Sequence, residues 1–489
     1  MSLTSEAVDR YFQIYNYTDK LKLKCGNIVD IEPDAFKNCR NRRIRILGLL
    51  TLSYEYEQII TQNSTHSSLF EPLNDHLEEL NVICNLECKF NFLKHLKNLK
   101  KLTLNLKISC QNIGKPIFNQ ANNQLVHLDL SESSTLKISD KKMFNDLKLL
   151  KYLDLSQVRL HNNVLPGLFS ELKQLDALKL RNARLTPTQD AFIHLANLKE
   201  LHFVGIEIPE ECSNIFVPLK SLQKLEMGST TTLNYNAFAQ VKNLRQLKLR
   251  HYSMIKIDKN FFDQHPQLES LDLSALNTPE WNAYTNNSSW KCEAYCIDLK
   301  ALANLTALKS LNLSQNNLNI DQEDCETIFS LENLESLNLI LSDRGEYIER
   351  LLKLTETTFR RMTKLRVLML SGNQIKLEGN CFKSLTQLIE LDLTKTILKS
   401  DHNNEDYDIL NSLKKLEKLT FNSTNSSNCF QMYKLSALTN LRELDLKINQ
   451  HDIDQFREML TSQRLPGEAE EPPNPTADDL CYFVLRDMK

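Results

Sequence analysis

Charged residues that alternate with leucines are the groups in this chain best placed to bind a ligand. They are Asp154, Lys179, Arg181, His202, Glu226, Lys248, Arg250, His251 and Asp272. A local excess of positive charge attracts acidic surfaces. We therefore expect Lys179, Arg181, Lys248, Arg250 and His251 to form a basic patch for an acidic protein or a glycan. The alternative is an ordinary solvated face.

Catalytic motifs are absent from the sequence. It contains no G-x-S-x-G, no H-E-x-x-H, and no H-x-E followed by P-C-x-x-C. The phosphate-cradling patterns G-x-G-x-x-G and G-x-x-x-x-G-K-[ST] are also missing. The carboxylates Glu78 and Glu79 are adjacent in a predicted strand, so they face opposite sides. The sequence predicts neither an enzyme nor a cofactor or metal site.

The 12 cysteines include two C-x-x-x-C pairs, Cys84 with Cys88 and Cys292 with Cys296. Neither pair is joined by the second pair that zinc spacing requires. For Cys292 and Cys296, which lie in a predicted loop, a local disulfide is the preferred interpretation. Cys212 and Cys381 are interpreted as small buried hydrophobic residues.

Acceptor motifs for N-glycosylation give a clue to the compartment. The candidate acceptors are Asn16, Asn63, Asn286, Asn287, Asn422 and Asn425, several of them in predicted loops. The amino terminus argues the other way, because MSLTSEAVDRYFQIYN lacks the apolar run of a signal peptide. No run of 18 or more apolar residues is present to cross a bilayer. These signs leave two interpretations open: a chain incomplete relative to its gene, or a cytosolic protein.

One frame of the form L-x-x-L-x-L recurs along the chain. It begins at Leu77, Leu99, Leu125, Leu150, Leu175, Leu198, Leu222, Leu244, Leu268, Leu308, Leu334, Leu365, Leu388, Leu416 and Leu441. The regular intervals are 22 to 28 residues. A single coil of this length cannot bury its apolar face alone, so neighbouring coils must stack. The frame predicts one solenoid with a short parallel strand in each coil, whose leucines point inward.

A second signal, F-x-x-L-x-x-L, marks the segment that returns to the next strand. Its phenylalanines are Phe144, Phe169, Phe192, Phe216 and Phe382, with Phe238 and Phe359 in close variants. Stacked coils align these rings, and aromatic stripes are usually core. We therefore predict a buried phenylalanine spine on the convex side.

The combined frame L-x-x-L-x-L-x-x-N-x-L with a downstream phenylalanine resembles the leucine-rich repeat family, in its typical extracellular class, as in Toll-like receptor and Slit-like ectodomains. The resemblance covers about residues 20–460. It implies an α/β fold: a right-handed solenoid, or horseshoe, with a parallel concave sheet and an irregular or short-helical convex side. It also implies that the nine charged residues project from the concave face towards a protein ligand.

The family's asparagine position is poorly kept here. Asparagine fills it at Asn85, Asn316, Asn373 and Asn449, whereas other coils carry residues such as Ser133, Val158, Ala183, Ile206, Leu276 and Thr396. An asparagine amide can bond to the backbone of adjacent coils, but an aliphatic side chain cannot. We expect the middle coils to lack a continuous ladder.

The domain organisation follows from the repeat. Residues 1–19 form an N-terminal segment, residues 20–460 the solenoid, and residues 461–489 an acidic, Pro-rich tail. Insertions are predicted near 53–76, 277–300, 343–364 and 399–413. The tail's first part is expected to be disordered, and its apolar residues 480–485 are a candidate docking strand.

The formal net charge of -3 argues against a dedicated nucleic-acid binder. The sequence favours a non-catalytic, extracellular or cell-surface, receptor-like module that binds a protein ligand, with dimerisation allowed and no transmembrane segment in this chain. The alternative is a cytosolic leucine-rich repeat adaptor with reduced cysteines and no glycans.

Overall fold

The computed structural model describes residues 2–14, 20–25, 30–31, 35–39, 44–51, 71–84, 93, 95–106, 117–134, 136–161, 165–228, 239–250, 257–276, 297–316, 322–340, 351–394, 396–399, 410–422, 438–447 and 482–486. The chain divides into two compact units, Met1–Leu244 and Arg245–Lys489. Each unit is a parallel β-solenoid of stacked coils with little helix.

The first unit contains a parallel main sheet with one strand per coil. Its strands are β2 (Lys20–Cys25), β4 (Ile46–Thr51), β5 (Glu79–Cys84), β6 (Lys101–Leu106), β7 (His127–Asp129), β9 (Tyr152–Asp154), β11 (Ala177–Lys179), β12 (Glu200–Val204) and β13 (Lys224–Gly228). Two small parallel pairs accompany it: β1 (Ser2–Leu3) with β3 (Asp30–Ile31), and β8 (Lys137–Ile138) with β10 (Arg159–Leu160).

The second unit repeats this plan. Its main sheet contains β14 (Gln246–Arg250), β15 (Ser270–Asp272), β16 (Ser310–Asn312), β17 (Ser336–Asn338), β19 (Val367–Met369), β21 (Glu390–Leu393), β23 (Lys418–Asn422) and β24 (Glu443–Lys447). A second parallel sheet contains β18 (Leu351–Leu354), β20 (Gln374–Leu377) and β22 (Ile397–Lys399). The last strand, β25 (Tyr482–Arg486), pairs antiparallel with β24.

Helices are short and lie outside the main sheets. They are α1 (Ser5–Ile14), α2 (Leu165–Leu168) and α3 (Gln322–Phe329), with 3-10 turns at Lys37–Cys39, Glu71–Leu73, Gln120–Asn122, Glu210–Cys212 and Leu299–Leu302. The first turn of α1 is held by Thr4, whose Oγ1 accepts from Ala7 N at 3.2 Å. Val8 of this helix is buried, and Asp9 accepts from Asn38. Helix α1 therefore packs onto the first coils.

The frame leucines form the core, as predicted. In β7, β11, β15 and β16 the central leucine is buried between two partly exposed neighbours. Within the first unit, Leu153, Leu178 and Leu201 are neighbours in register and are fully buried. The period of two therefore leaves an open face on each main sheet, made of the residues that alternate with these leucines.

The predicted phenylalanine spine is confirmed in the described coils. Phe144, Phe169, Phe192, Phe216, Phe359 and Phe382 are fully buried. The rings of Phe192 and Phe216 stack at 6.1 Å between centroids, and those of Phe359 and Phe382 lie 5.9 Å apart. Phe238 lies outside the described residues. These coils thus stabilise one another through aromatic contacts as well as through the sheet.

At the family's asparagine position, the described amide and hydroxyl side chains donate hydrogen bonds to the backbone of the preceding coil. Asn316 donates to Leu273 O at 2.7 Å, and Asn373 donates to Leu339 O at 2.9 Å. Ser133 donates to Leu104 O at 3.3 Å, and Thr396 to Leu370 O at 3.3 Å, so hydroxyls can replace the amide. Val158, Ala183 and Ile206 are simply buried at this position. Asn85 and Asn449 lie outside the described residues.

Where the structure describes residues at the edges of the predicted insertions, those residues are part of the stacked coils. Residues 351–364 include strand β18 and the buried Phe359 and Met362. Leu73 and Leu410 are also buried at the edges of two other insertions. Residues 53–70, 277–296, 343–350 and 400–409 lie outside the described part of the chain, so the insertions themselves stay predictions.

Candidate functional site on the open face

The first unit places five of the sequence-predicted site residues on its open face. Asp154, Lys179, His202 and Glu226 occupy the same register position on β9, β11, β12 and β13. Arg181 follows β11 by two residues. Because the flanking leucines are buried, these polar side chains form one row across four neighbouring strands.

His202 is the centre of an ionic cluster in this row. Its Nδ1 lies 2.7 Å from Glu226 Oε2, and its Nε2 contacts Glu200 Oε1. Arg181 forms an ion pair with Glu226, and its guanidinium lies 2.9 Å from His202 Nδ1. Lys224 Nζ completes the cluster at 2.9 Å from Glu200 Oε1. We call Arg181, Glu200, His202, Lys224 and Glu226 the ionic cluster.

Burial differs strongly within the ionic cluster. The side chains of His202 and Glu226 are each 6% exposed, whereas those of Arg181 and Lys224 are 43% and 42% exposed. Burial raises the pKa of the Glu200 carboxyl, but hydrogen bonds from His202 and Lys224 outweigh it, so this pKa is lowered overall. The cluster therefore offers a partner two exposed cations: Arg181, held by the buried Glu226, and Lys224, held by the partly exposed Glu200.

A stacked pair of rings lies beside the ionic cluster. His127 and Tyr152 are 4.1 Å apart with nearly parallel planes, and Lys179 Nζ lies 5.2 Å from the centre of the Tyr152 ring. Tyr152 donates its hydroxyl to Asp154 Oδ2 at 3.2 Å. Burial and then the Asp154 charge raise the pKa of Tyr152, while burial and then Lys101 lower the pKa of His127. At neutral pH the pair is an uncharged aromatic surface between charged groups.

Four of these groups are not among the candidate site residues named from the sequence. Candidates such as Asp154, Lys179 and His202 directly follow the second leucine of a frame, whereas the four residues that were missed directly precede it: His127, Tyr152, Glu200 and Lys224. Strand alternation places the preceding residue on the same face as the following one. The alternation within the frame was therefore the sequence signal that could have identified these four residues.

In the second unit, two predicted residues meet. Lys248 Nζ lies 3.2 Å from Asp272 Oδ2, and Asp272 Oδ1 accepts from Ser274 N at 3.0 Å. Burial raises the pKa of the Asp272 carboxyl, but bonds from Ser274 and Lys248 lower it overall. The backbone of Arg250 ends β14, while its side chain and His251 lie outside the described residues.

Pairing offsets the basic patch that the sequence suggested. Arg181 is bound to Glu226, and Lys248 is bound to Asp272. Asp154 lies in register with Lys179. The positive charges are thus balanced within each unit, so attraction of an acidic partner is weaker than the charges of Lys179, Arg181 and Lys248 alone imply.

Ion pairs also connect neighbouring coils through the charged residues that directly precede the strands. Glu78 contacts Arg45 and Lys100, and Glu269 contacts Arg245 and Lys309. Hydrogen bonds from Arg45 and then Lys100 lower the pKa of Glu78, and those from Lys309 and then Arg245 lower the pKa of Glu269. Because each of these glutamates pairs with a basic residue in the coil on either side, the ion pairs favour the stacking register that brings opposite charges together.

Other candidate sites lie mostly beyond the described residues. These are Cys292 and Cys296, and the acceptors Asn16, Asn63, Asn286, Asn287 and Asn425; the backbone of Asn422 ends β23. Cys212 and Cys381 are buried free thiols, which agrees with their predicted role in the core. Within the described ranges, no group of three or more histidine, cysteine or acidic residues is arranged to hold a metal. No helix among those residues is long and apolar enough to span a bilayer.

Comparison with protein families connects these coils to known sequences. Residues 88–212, 207–327, 291–404 and 346–456 match the family described as BspA type leucine rich repeat region. Over 259 residues the chain is 24% identical to the human volume-regulated anion channel subunit LRRC8B. This alignment covers 49% of the chain and 27% of the channel subunit. The chain thus spans about a quarter of that relative's length.

A solved structure shows the same architecture. A leucine-rich repeat protein of Leptospira interrogans is 22% identical, with a TM-score of 0.54, and the alignment covers 83% of this chain and 98% of the other. The likeness to TLR13 in its complex with ssRNA13 is lower, at 19% identity and a TM-score of 0.38, covering 88% and 82% of the two chains.

Proposed function

The chain belongs to the BspA-type leucine-rich repeat family, and from this premise we propose that it is a non-catalytic recognition module that binds a protein ligand on the open face of its first unit. The surface extends over β7, β9, β11, β12 and β13. It contains the stacked His127 and Tyr152, the row from Asp154 to Glu226, and the ionic cluster.

One observation carries this proposal: aromatic and cationic groups are held in fixed positions on neighbouring strands. Tyrosine and arginine are enriched among the residues that contribute most to protein–protein binding. Tyr152 is held between His127 and Lys179, and Arg181 is fixed by Glu226. Fixed side chains lose less conformational entropy when a partner binds. The surface is therefore pre-organised for recognition.

Binding fits the ionic cluster better than catalysis does. A general base needs a free ring nitrogen within reach of a substrate. Both nitrogens of His202 contact carboxylates, and its side chain is only 6% exposed. Those contacts would have to break before His202 could accept a proton from a substrate. We assign the cluster a role in shaping and holding the surface.

Photo-crosslinking tests the proposed surface. A photoreactive amino acid replaces Lys179 on the open face or, as the control, Ile193, which is 54% exposed on the return segment. In a culture of the source cells we expect a discrete adduct from position 179 and none from position 193. Combining Tyr152→Ala with Arg181→Glu should abolish it. Equal adducts from both positions, or an adduct that survives the double variant, would refute the surface.

The exchange of Lys179 and Arg181 for glutamate tests the basic character of this surface. If these two cations attract the ligand, the double variant binds the crosslinked partner at least tenfold more weakly. Unchanged binding would remove both residues from the ligand contacts and leave the aromatic pair as the anchor. Charge-neutral variants, Lys179→Gln with Arg181→Gln, separate lost attraction from introduced repulsion.

We further propose an extracellular or cell-surface location, supported by the glycosylation motifs at Asn63, Asn286 and Asn425. Treatment of the endogenous protein with an N-glycan-removing endoglycosidase tests this proposal, and we expect faster gel migration afterwards. No shift, together with free thiols at Cys292 and Cys296, would instead support the cytosolic adaptor.

A further inference from the structure

A second open surface, in the second unit, differs in chemistry from the ionic cluster. Ser270, Ser310 and Ser336 are in register on β15, β16 and β17, and the residues two positions later are Asp272, Asn312 and Asn338. All six are partly exposed. We call Ser310, Asn312, Ser336 and Asn338 the serine–asparagine patch. It carries no formal charge.

The two asparagine side chains are locked in place. Asn312 Oδ1 accepts from Ser314 N at 3.0 Å, and Asn338 Oδ1 accepts from Ile340 N at 3.0 Å. Their Nδ2 groups have no hydrogen-bond partner among the described residues. Neighbouring strands lie about 4.8 Å apart. The patch therefore presents two adjacent, pre-oriented amide donors that can bond to acceptors of a ligand in place of water.

The surface changes character along the next two strands. Val367 and Met369 of β19 are in register with Ser336 and Asn338, and both are partly exposed. Beyond them, β21 presents Glu390 and Asp392. Lys418 pairs with Glu390 at 3.1 Å, whereas the described contact of Asp392 is its acceptance of Thr394 N at 2.8 Å. The order across the sheet is thus amide donors, apolar groups, then a carboxylate.

We propose that this surface binds an extended polypeptide segment of a partner. Its main-chain carbonyls accept from Asn312 and Asn338, an apolar side chain packs on Val367 and Met369, and a lysine or arginine faces Asp392. Neutral donors do not select anions, and the apolar strand disfavours a purely polar ligand. Residues 465–485 of the chain's own tail are unsuited, because they are acidic and contain no lysine or arginine to face Asp392. The inference goes beyond the first unit's function and does not depend on it.

A synthetic peptide array supplies the probe. The array contains capped octapeptides built from serine and alanine, each with one leucine. Each peptide also carries one charged residue, either arginine or glutamate, placed one to four positions before or after the leucine. Binding of the full-length protein is followed by fluorescence anisotropy with the best peptide. We expect arginine-containing peptides to bind and glutamate-containing peptides to bind at least tenfold more weakly. No preference between them would overturn the proposed orientation on Asp392, and with it the proposal.

The matched variants are Asn312→Asp with Asn338→Asp. Aspartate preserves the local fold, because Asp272 and Asp392 occupy the same position and hold the equivalent backbone N–H at 3.0 and 2.8 Å. The variant removes both Nδ2 donors, and at high salt, which screens the two added charges, we expect roughly tenfold weaker binding per lost hydrogen bond. The control is the reverse exchange in the first unit, Asp129→Asn, which should leave peptide binding unchanged.

Three results would overturn the proposal. The first is peptide binding that the Asn312→Asp, Asn338→Asp variant does not weaken. The second is self-association in sedimentation that this variant abolishes, because a second copy would then be the occupant. The third is a glycan on Asn312 of the natural protein, since Asn312-Leu313-Ser314 is an acceptor motif and a glycan would consume the donor.

Discussion

At the residue scale, burial determines the chemistry of the thiols. Cys381 is 1% exposed, and burial raises the pKa of its thiol to about 12. Cys212 is also buried, which raises the pKa of its thiol. The thiolate is the reactive form. These cysteines therefore resist alkylation for two reasons: the thiol stays protonated and the reagent cannot reach it.

We predict that iodoacetamide at pH 8 leaves Cys212 and Cys381 unmodified in the native protein and modifies both in urea. Peptide mass spectrometry after timed labelling measures each site separately. Native labelling at the rate seen in urea would contradict the assigned burial. The measurement also tests these cysteines as core residues without requiring any substitution.

The lowered pKa of Asp272 makes a prediction about acid. A carboxyl whose pKa is lower in the folded state stabilises the protein above its unfolded pKa, near 3.8, and loses that effect as pH falls through the folded value. Asp272→Asn should therefore reduce the free energy of unfolding at pH 7, and should reduce it less at pH 2.5. Urea melts at both values test it, with exposed Asp75→Asn as the control. An equal loss at both pH values would mean that packing, not charge, is affected.

At the element scale, the return segment stabilises the coils through its phenylalanine. Phe192 is fully buried and contacts Phe203 and Phe216 at centroid distances of 5.6 and 6.1 Å. Phe192→Ala leaves a cavity that neighbouring coils cannot close, so we predict a loss of about 3–5 kcal/mol in the free energy of unfolding. The adjacent Ile193 is 54% exposed, and Ile193→Ala should change stability by less than about 0.5 kcal/mol. Chemical melts that give equal losses would refute the spine.

A second ladder of asparagines was missed by sequence reasoning. Asn197 donates to Lys173 O at 3.0 Å and Asn243 donates to Lys220 O at 2.8 Å, each to the preceding coil. Asn98, Asn333 and Asn440 do the same. These residues directly precede the first leucine of the frame, so the recurring N-L dipeptide was the available signal. Asn197 supplies such a link in the coil where Ile206 interrupts the predicted ladder.

The strands and their buried faces were predictable because one physical requirement repeats many times. Every coil must bury leucines at alternate positions, so a poor match to the frame in one coil is outweighed by clear matches in the others. The ionic cluster was harder to predict, because Arg181 reaches Glu226 across two strands and meets His202 between them. Such a contact depends on side-chain length and burial as well as on the frame. Arg181, His202 and Glu226 were named from the sequence as candidate site residues, but Glu200, Lys224 and the pairing of these charges were not.

At the scale of the whole molecule, each unit is a stack in which coils contact their neighbours. The contacts that define it are the register pairs of adjacent strands and the aromatic pairs of adjacent return segments. Stability in such a stack is approximately a sum of coil and nearest-neighbour contributions. The edge of β24 is covered by the antiparallel β25, which limits pairing of that edge with other chains.

Nearest-neighbour stability predicts a graded response to a local defect. Phe192→Ala should raise backbone hydrogen exchange most in β11, β12 and β13, less in β7 and β9, and least in β4 and β5, because the defect reaches distant coils only through the intervening ones. Native-state exchange with mass spectrometry measures this gradient within the first unit. The matched variant Phe382→Ala should produce its own gradient in the second unit, centred on β19 and β21. A uniform rise across a unit would mean that its coils open together, and the coil would then not be the element of stability.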